Sequence, residues 1–155
     1  MSMQHVLDTV RAFDGVHELA PAPGSRFPRI AWGDHFFYYA PDERTPSNTQ
    51  PYATIVTKDY PGDDASRLDE AGRWRVNIHV GRMRFLELLG EDPRSFGDRD
   101  FAVADEILPH PVYGALGWVA VVNPHDLVET VCGLLRDAHD DAARRFSRRQ
   151  RRGDS

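Results

Sequence analysis

Arg73-Trp74-Arg75-Val76-Asn77-Ile78-His79-Val80 decides the fold. Trp74, Val76, Ile78 and Val80 alternate with Arg73, Arg75, Asn77 and His79, and a period of two residues is that of a β-strand with one apolar face and one hydrogen-bonding face. Such strands belong to antiparallel sheets that pack one face on a core and leave the other to water. The expectation is a half-solvated strand over residues 73–80. A second strand pattern covers residues 52–59, and the polar, acidic stretch beginning Pro61-Gly62-Asp63-Asp64 joins the two. On the other side, Gly81 opens a short helix whose apolar side is Met83, Phe85, Leu86 and Leu89, and Gly90 stands at the favoured capping position.

Further out, Met3, Val6, Leu7, Val10 and Phe13 recur at helical spacing behind Ser2, a good N-cap, and Gly15 ends the pattern. A short apolar piece at 16–19 precedes the breaker cluster Pro21-Ala22-Pro23-Gly24-Ser25. Two strand-like runs then flank Gly33-Asp34, a pair that suits a type II′ hairpin. Residues 41–51 and 91–106 read as loops. The prolines of Leu108-Pro109-His110-Pro111 bar that segment from the interior of a sheet. Trp118-Val119-Ala120-Val121-Val122 is apolar on both faces and reads as a covered central strand. Asn123 as N-cap and Pro124 at the first helical position then start a last helix with Leu127, Val128, Val131, Leu134, Leu135 and Ala138 as its buried stripe. The whole is one α+β domain over residues 1–143: an antiparallel sheet with an N-terminal helix, a short middle helix and a long C-terminal helix. Residues 144–155 form an arginine-rich tail, the end of the last helix and then disorder.

A chain of 155 residues suits one domain. Hydrophobic content of 41% and charged content of 28% are ordinary for a folded protein, and no apolar run approaches the roughly 20 residues that cross a bilayer. No signal-peptide pattern opens the chain, and its one cysteine, Cys132, excludes an internal disulfide. A cytoplasmic location is expected. Arg144, Arg145, Arg148, Arg149, Arg151 and Arg152 face only Asp154 in the tail, so the body is more acidic than the net charge of −5. That body disfavours a broad phosphate-binding face. The tail either grips an acidic partner or complements the dipole of its helix.

Of the nineteen basic residues only Lys58 is a lysine. A lysine amine is a compact point charge, unlike the planar arginine fork, so this exception marks a candidate site; a coding bias towards arginine would leave an occasional lysine as well. If the two strands pair, Lys58, Arg75 and Asn77 converge and could hold a carboxylate or phosphate. The alternative is a solvated face with ion pairs to Asp59, Asp63, Asp64 or Asp69. The seven histidines are dispersed, so no metal site is expected. Cys132 lies mid-helix, no nucleophile elbow is present, and no glycine-rich phosphate loop points to a nucleotide or other cofactor. His110, held between Pro109 and Pro111, reads either as a positioned acid or base or as a turn residue.

The strings Ala31-Trp-Gly-Asp-His-Phe-Phe-Tyr-Tyr-Ala-Pro-Asp, Gln50-Pro-Tyr-Ala-Thr-Ile-Val-Thr-Lys-Asp-Tyr-Pro, Arg75-Val-Asn-Ile-His-Val-Gly-Arg and Leu108-Pro-His-Pro-Val-Tyr with Gly117-Trp-Val resemble the family known as domain of unknown function 6194, over nearly the whole chain before the tail. More distantly, the order of elements is similar to that of the MmcQ/YjbR-like proteins. That similarity implies a compact α+β domain and a DNA-binding reading, from which the acidic body departs. The resemblance marks Asp34, Lys58, Asp59, Arg67, Arg75, Asn77, Arg82 and His110 as a polar signature, with no catalytic role for any of them. The expected function is a cytosolic binding or interaction module whose polar patch receives a small anionic ligand or a partner protein. The rivals are an enzyme with Lys58 or His110 as acid, base or electrostatic stabiliser, and nucleic-acid binding through the tail. Oligomeric state is not legible.

Overall fold

Strand β4 (Arg75–His79) lies where the alternation predicts, between β3 (Ala53–Val56) and β6 (Trp118–Val122). The computed structural model describes residues 2–46 and 49–153. Ahead of these strands come α1 (Ser2–Arg11), β1 (Val16–Leu19) and β2 (His35–Tyr39); α2 (Gly81–Leu89), β5 (Leu108–Pro109) and α3 (Val128–Gly153) complete the order. The six strands form one antiparallel sheet in the order β1-β2-β3-β4-β6-β5. The architecture is α+β. Among the described residues no helix is long and apolar enough to cross a membrane.

Alternation and register together sort the sheet into two faces. Phe37, Ala53, Ile55, Val76, Ile78, Val119 and Val121 point to α1 and α3, where Val6, Val10, Val131, Leu134 and Leu135 complete a single buried core. Each such aliphatic side chain stabilises the fold by about 1.5–3 kcal/mol through removal from water. On the opposite face Thr54 pairs with Asn77, and Val56 with Arg75. This second face is not half-solvated as the alternation suggests, because Arg75 is 1% exposed and Asn77 3% exposed. The segment between β3 and β4 folds back over it, packing Leu68 and Tyr60 onto Val56 and Val122.

Three other local expectations change. The type II′ hairpin at Gly33-Asp34 does not form: Arg29–Ala31 is a turn of 3-10 helix, and β2 pairs instead with β1 across a long loop. The cause is Asp34, whose buried carboxylate accepts the Thr57 backbone N–H at 2.9 Å and so is tied to the chain beyond β3. In α2 only Phe85 is fully buried, while Met83 and Leu86 face solvent; Gly90 does close the helix in the left-handed conformation, at φ 69°. β5, with Pro109, takes an edge of the sheet, where a missing donor costs nothing.

The third change concerns the start of α3. Asn123 is not its cap: at φ 45° its side chain accepts the Trp74 N–H and donates to the Gly72 carbonyl, fastening the ends of β4 and β6. Asp105 takes the capping role from a distant loop, its carboxylate accepting the N–H groups of His125, Asp126 and Leu127 at 2.8–3.1 Å. These bonds hold its carboxyl below the usual range. Asp105→Ala is expected to lower stability, as loss of an N-cap does, and Asp105→Asn to retain part of it. Urea denaturation at neutral pH measures both, and an unchanged midpoint for the alanine variant would remove the capping role.

Candidate ligand-binding cleft

The face turned away from the helices is a cleft of about 760 Å³. Its walls are apolar and mostly aromatic: Phe36 and Tyr38 from β2, Tyr60 from the loop after β3, Trp118 from β6, and Tyr113 with Leu116 from the segment between β5 and β6. That last segment is shaped by Gly117, at φ 86°, where a Cβ would come within 3.0 Å of the Gly81 backbone. It therefore turns tightly against the start of α2 and presents Val112, Tyr113 and Leu116 as a lip. Leu116 is 67% exposed.

The floor is polar and tightly bonded. Arg75 Nε donates to Asn77 Oδ1 at 2.7 Å, Nη1 to Asp63 Oδ1 at 3.0 Å and Ser66 Oγ at 2.9 Å, and Nη2 to Asp63 Oδ2 at 2.6 Å. Asn77 in turn donates to Thr54 Oγ1 at 2.9 Å, the cross-strand contact that the β3–β4 register creates. Burial alone would raise the Asp63 carboxyl, but its paired bonds to Arg75 outweigh burial and hold it below the usual range. His110 closes the group, 3% exposed, with its ring against Tyr113 and Trp118. Burial, and then the charge of Arg75, push the imidazole down to about 3, so it is neutral at physiological pH.

The residues singled out in the sequence fall into three groups. Arg75, Asn77 and His110 meet on the cleft floor. Lys58 is not with them: its amine donates to the Trp32 carbonyl at 2.9 Å and pairs with Asp34 Oδ1 at 2.9 Å, behind the cleft wall. Asp34, wholly buried, also accepts from Thr57 Oγ1 at 2.6 Å and from the Tyr60 hydroxyl, so Tyr60 links the two clusters. Burial, with the Asp34 carboxylate next, raises the Tyr60 phenol above its ordinary range. Asp59, Arg67 and Arg82 hold loops: Asp59 accepts the Leu68 N–H at 2.8 Å, Arg67 lies 3.8 Å from Glu70, and Arg82 pairs with Asp92 at 2.8 Å.

Ser66 lies in no motif; Phe36, Tyr38, Tyr60, Tyr113 and Trp118 lie within the family strings without being singled out there, and Asp63 had a signal only as one of four acids within reach of the strand face. A smaller cleft of about 360 Å³ between α2 and α3 pairs both of its arginines, Arg84 with Asp137 and Arg144 with Asp141, and carries Glu87 and Asp140 besides. Asp105, His125 and Asp126 bring ligand-type atoms within 4.8 Å of one another, but Asp105 is committed to the start of α3.

Comparison with known proteins adds a family. The model of the family of unknown function DUF6194 matches residues 1–151, nearly the full length of the chain. No curated protein and no solved structure matches, and neither comparison supports the expected likeness to MmcQ/YjbR-like proteins.

Proposed function

We propose that this chain, which belongs to the family of unknown function DUF6194, is a binding module that holds a small amphipathic molecule in the cleft on the open face of its sheet. The observation that carries the reading is the union of aromatic walls with a buried polar floor in one cavity of about 760 Å³. Cavities of roughly 300–1,000 Å³ with mainly apolar linings and a few convergent polar groups are the usual form of small-molecule sites. The exposed apolar lip supports the same reading, since Val112, Tyr113 and Leu116 would lose water contact over a bound ligand.

Charge narrows the ligand. Asp63 neutralises Arg75 through two bonds, and His110 is neutral, so the floor carries no net charge. That balance favours a neutral polar group over the carboxylate or phosphate of a small anionic ligand. Binding also has more support than acid–base catalysis: Lys58 stands outside the cleft, and the His110 Nδ1 lone pair already accepts the backbone N–H groups of Val112 and Tyr113 at 3.0 Å each.

The reading is tested by adding neutral aromatic fragments to ¹⁵N-labelled protein and mapping the amide shifts. Fragments that bind in the millimolar range, worth about −4 kcal/mol, are expected to move Phe36, Thr54, Asn77 and Trp118 together. Shifts confined to the α2–α3 cleft, or none across the set, would count against it.

A further inference from the structure

The backbone around His110 fixes which of its nitrogens bears the proton. Val112 and Tyr113 both direct N–H groups at Nδ1, each at 3.0 Å, and an N–H can only donate. Nδ1 therefore keeps its lone pair, and in the neutral ring the proton sits on Nε2. Nε2 lies 3.2 Å from Arg75 Nη2, another group that can only donate. The two are thus neighbouring donors and not a bonded pair.

Acceptors within reach do not resolve this. Asp63 Oδ2 takes one Nη2 hydrogen at 2.6 Å but stands 3.8 Å from His110 Nε2, beyond hydrogen-bond distance. Among the described residues the Nε2–H and the second Nη2–H share a buried place on the cleft floor with no acceptor between them. A buried donor left unpaired costs about 1–3 kcal/mol, which an incoming acceptor recovers.

We infer that His110 Nε2 and Arg75 Nη2 together receive one neutral carbonyl oxygen, that of a ketone, amide or ester, from the ligand in the cleft. The inference rests on the binding reading and specifies its polar contact. With donors 3.2 Å apart, a single oxygen can sit at about 2.9 Å from both, a normal N–H···O distance. A carbonyl oxygen has two lone pairs, one for each donor. A carboxylate fits less well, because its second oxygen adds negative charge beside Asp63 while the charge of Arg75 is already matched. Trp118 and Tyr113, which flank the imidazole, would then contact the apolar body attached to the carbonyl. The low basicity of the buried imidazole agrees with its role as a neutral donor.

The experiment uses the full chain, ¹⁵N-labelled at histidine, at pH 7. Long-range ¹H–¹⁵N correlation spectra are expected to show His110 as the Nε2–H tautomer. Acetophenone, ethylbenzene and benzoate are then titrated, compounds of similar size that differ in the polar group. Acetophenone is expected to bind about tenfold or more tightly than ethylbenzene, the share of one recovered hydrogen bond, and to shift the Nε2 resonance; benzoate is expected to bind more weakly than acetophenone. In His110→Phe the acetophenone advantage should shrink to what Arg75 Nη2 alone supplies, while ethylbenzene binding persists. If that variant does not fold, the tautomer and the wild-type ranking decide the matter. An Nδ1–H tautomer, or equal binding of acetophenone and ethylbenzene in the cleft, overturns the carbonyl receptor and leaves the binding module standing. Preference for benzoate also overturns it. Failure of all three to bind counts against both readings.

Discussion

Arg75→Met is expected to destabilise the chain by about 3–5 kcal/mol, the usual cost of removing one partner from a buried ion pair. Arg75 is 1% exposed and joins β4 to the segment that covers it, through Asp63 and Ser66 on one side and Asn77 on the other. Methionine fills much of the same space but leaves Asp63 charged with no cation, Ser66 Oγ and Asn77 Oδ1 without their Arg75 donor, and the 57–72 segment without one of its anchors. Arg75→Lys should recover only part of the loss, because one amine cannot reproduce the two parallel bonds to the carboxylate. The double variant Arg75→Met with Asp63→Leu should be more stable than Arg75→Met alone, since no unpaired charge remains. Guanidinium denaturation of wild type, Arg75→Met, Asp63→Leu and the double variant completes the cycle, with Arg75→Lys measured alongside. A loss below about 1 kcal/mol for Arg75→Met, in the range of an exposed pair, would mean that the network does not organise the cleft.

The same residue shows how far the sequence could be read. Alternation over residues 73–80 located β4 and its core face because a two-residue period has one structural meaning. It could not say what lies over the other face, because a strand with polar side chains looks alike whether water or a folded-back loop meets them. Lys58 illustrates a related limit. Reading the strand through residue 59 brings Lys58 to Arg75, but β3 ends at Val56, whose partner in the register is Arg75 itself. Lys58 falls two residues beyond, where the chain turns towards Asp34. The single lysine, itself partly exposed, pairs with the buried Asp34, away from the cleft floor. The hairpin read at Gly33-Asp34 and the cap read at Asn123 failed for one reason: Asp34 and Asp105 each use a carboxylate on backbone N–H groups more than twenty positions away, Thr57 in one case and Leu127 in the other. Local turn and cap rules have no access to such partners. His110 was legible as a stiffly held histidine, whereas its tautomer depends on where two following N–H groups point.

That histidine gives the second large effect, a loss of stability in mild acid. The His110 imidazole has a pKa of about 3 in the folded protein, against about 6.5 in an unfolded chain. Between those values the unfolded state binds the extra proton, so stability is complete above about pH 6.5 and falls as pH drops towards 3. One such group accounts for about 1.4 kcal/mol per pH unit within the window, or about 2 kcal/mol between pH 6.5 and 5. His79 and His139 are also lowered, by burial above all, and act in the same direction. Asp63 and Glu18 are lowered carboxyls whose contribution is lost only at more acid pH, as each approaches its unfolded value. Measurements between pH 7 and 5 therefore isolate the histidines, and the difference between wild type and His110→Gln isolates His110. The variant should lose less stability over that range, while the His110 ring signals of wild type show no inflection above pH 5. An inflection near 6.5 would place an imidazolium 3.2 Å from the Arg75 guanidinium, a repulsion that the single carboxylate of Asp63 could not balance. The cleft floor would then be cationic and suited to an anion, and the neutral donor on which carbonyl recognition depends would be gone.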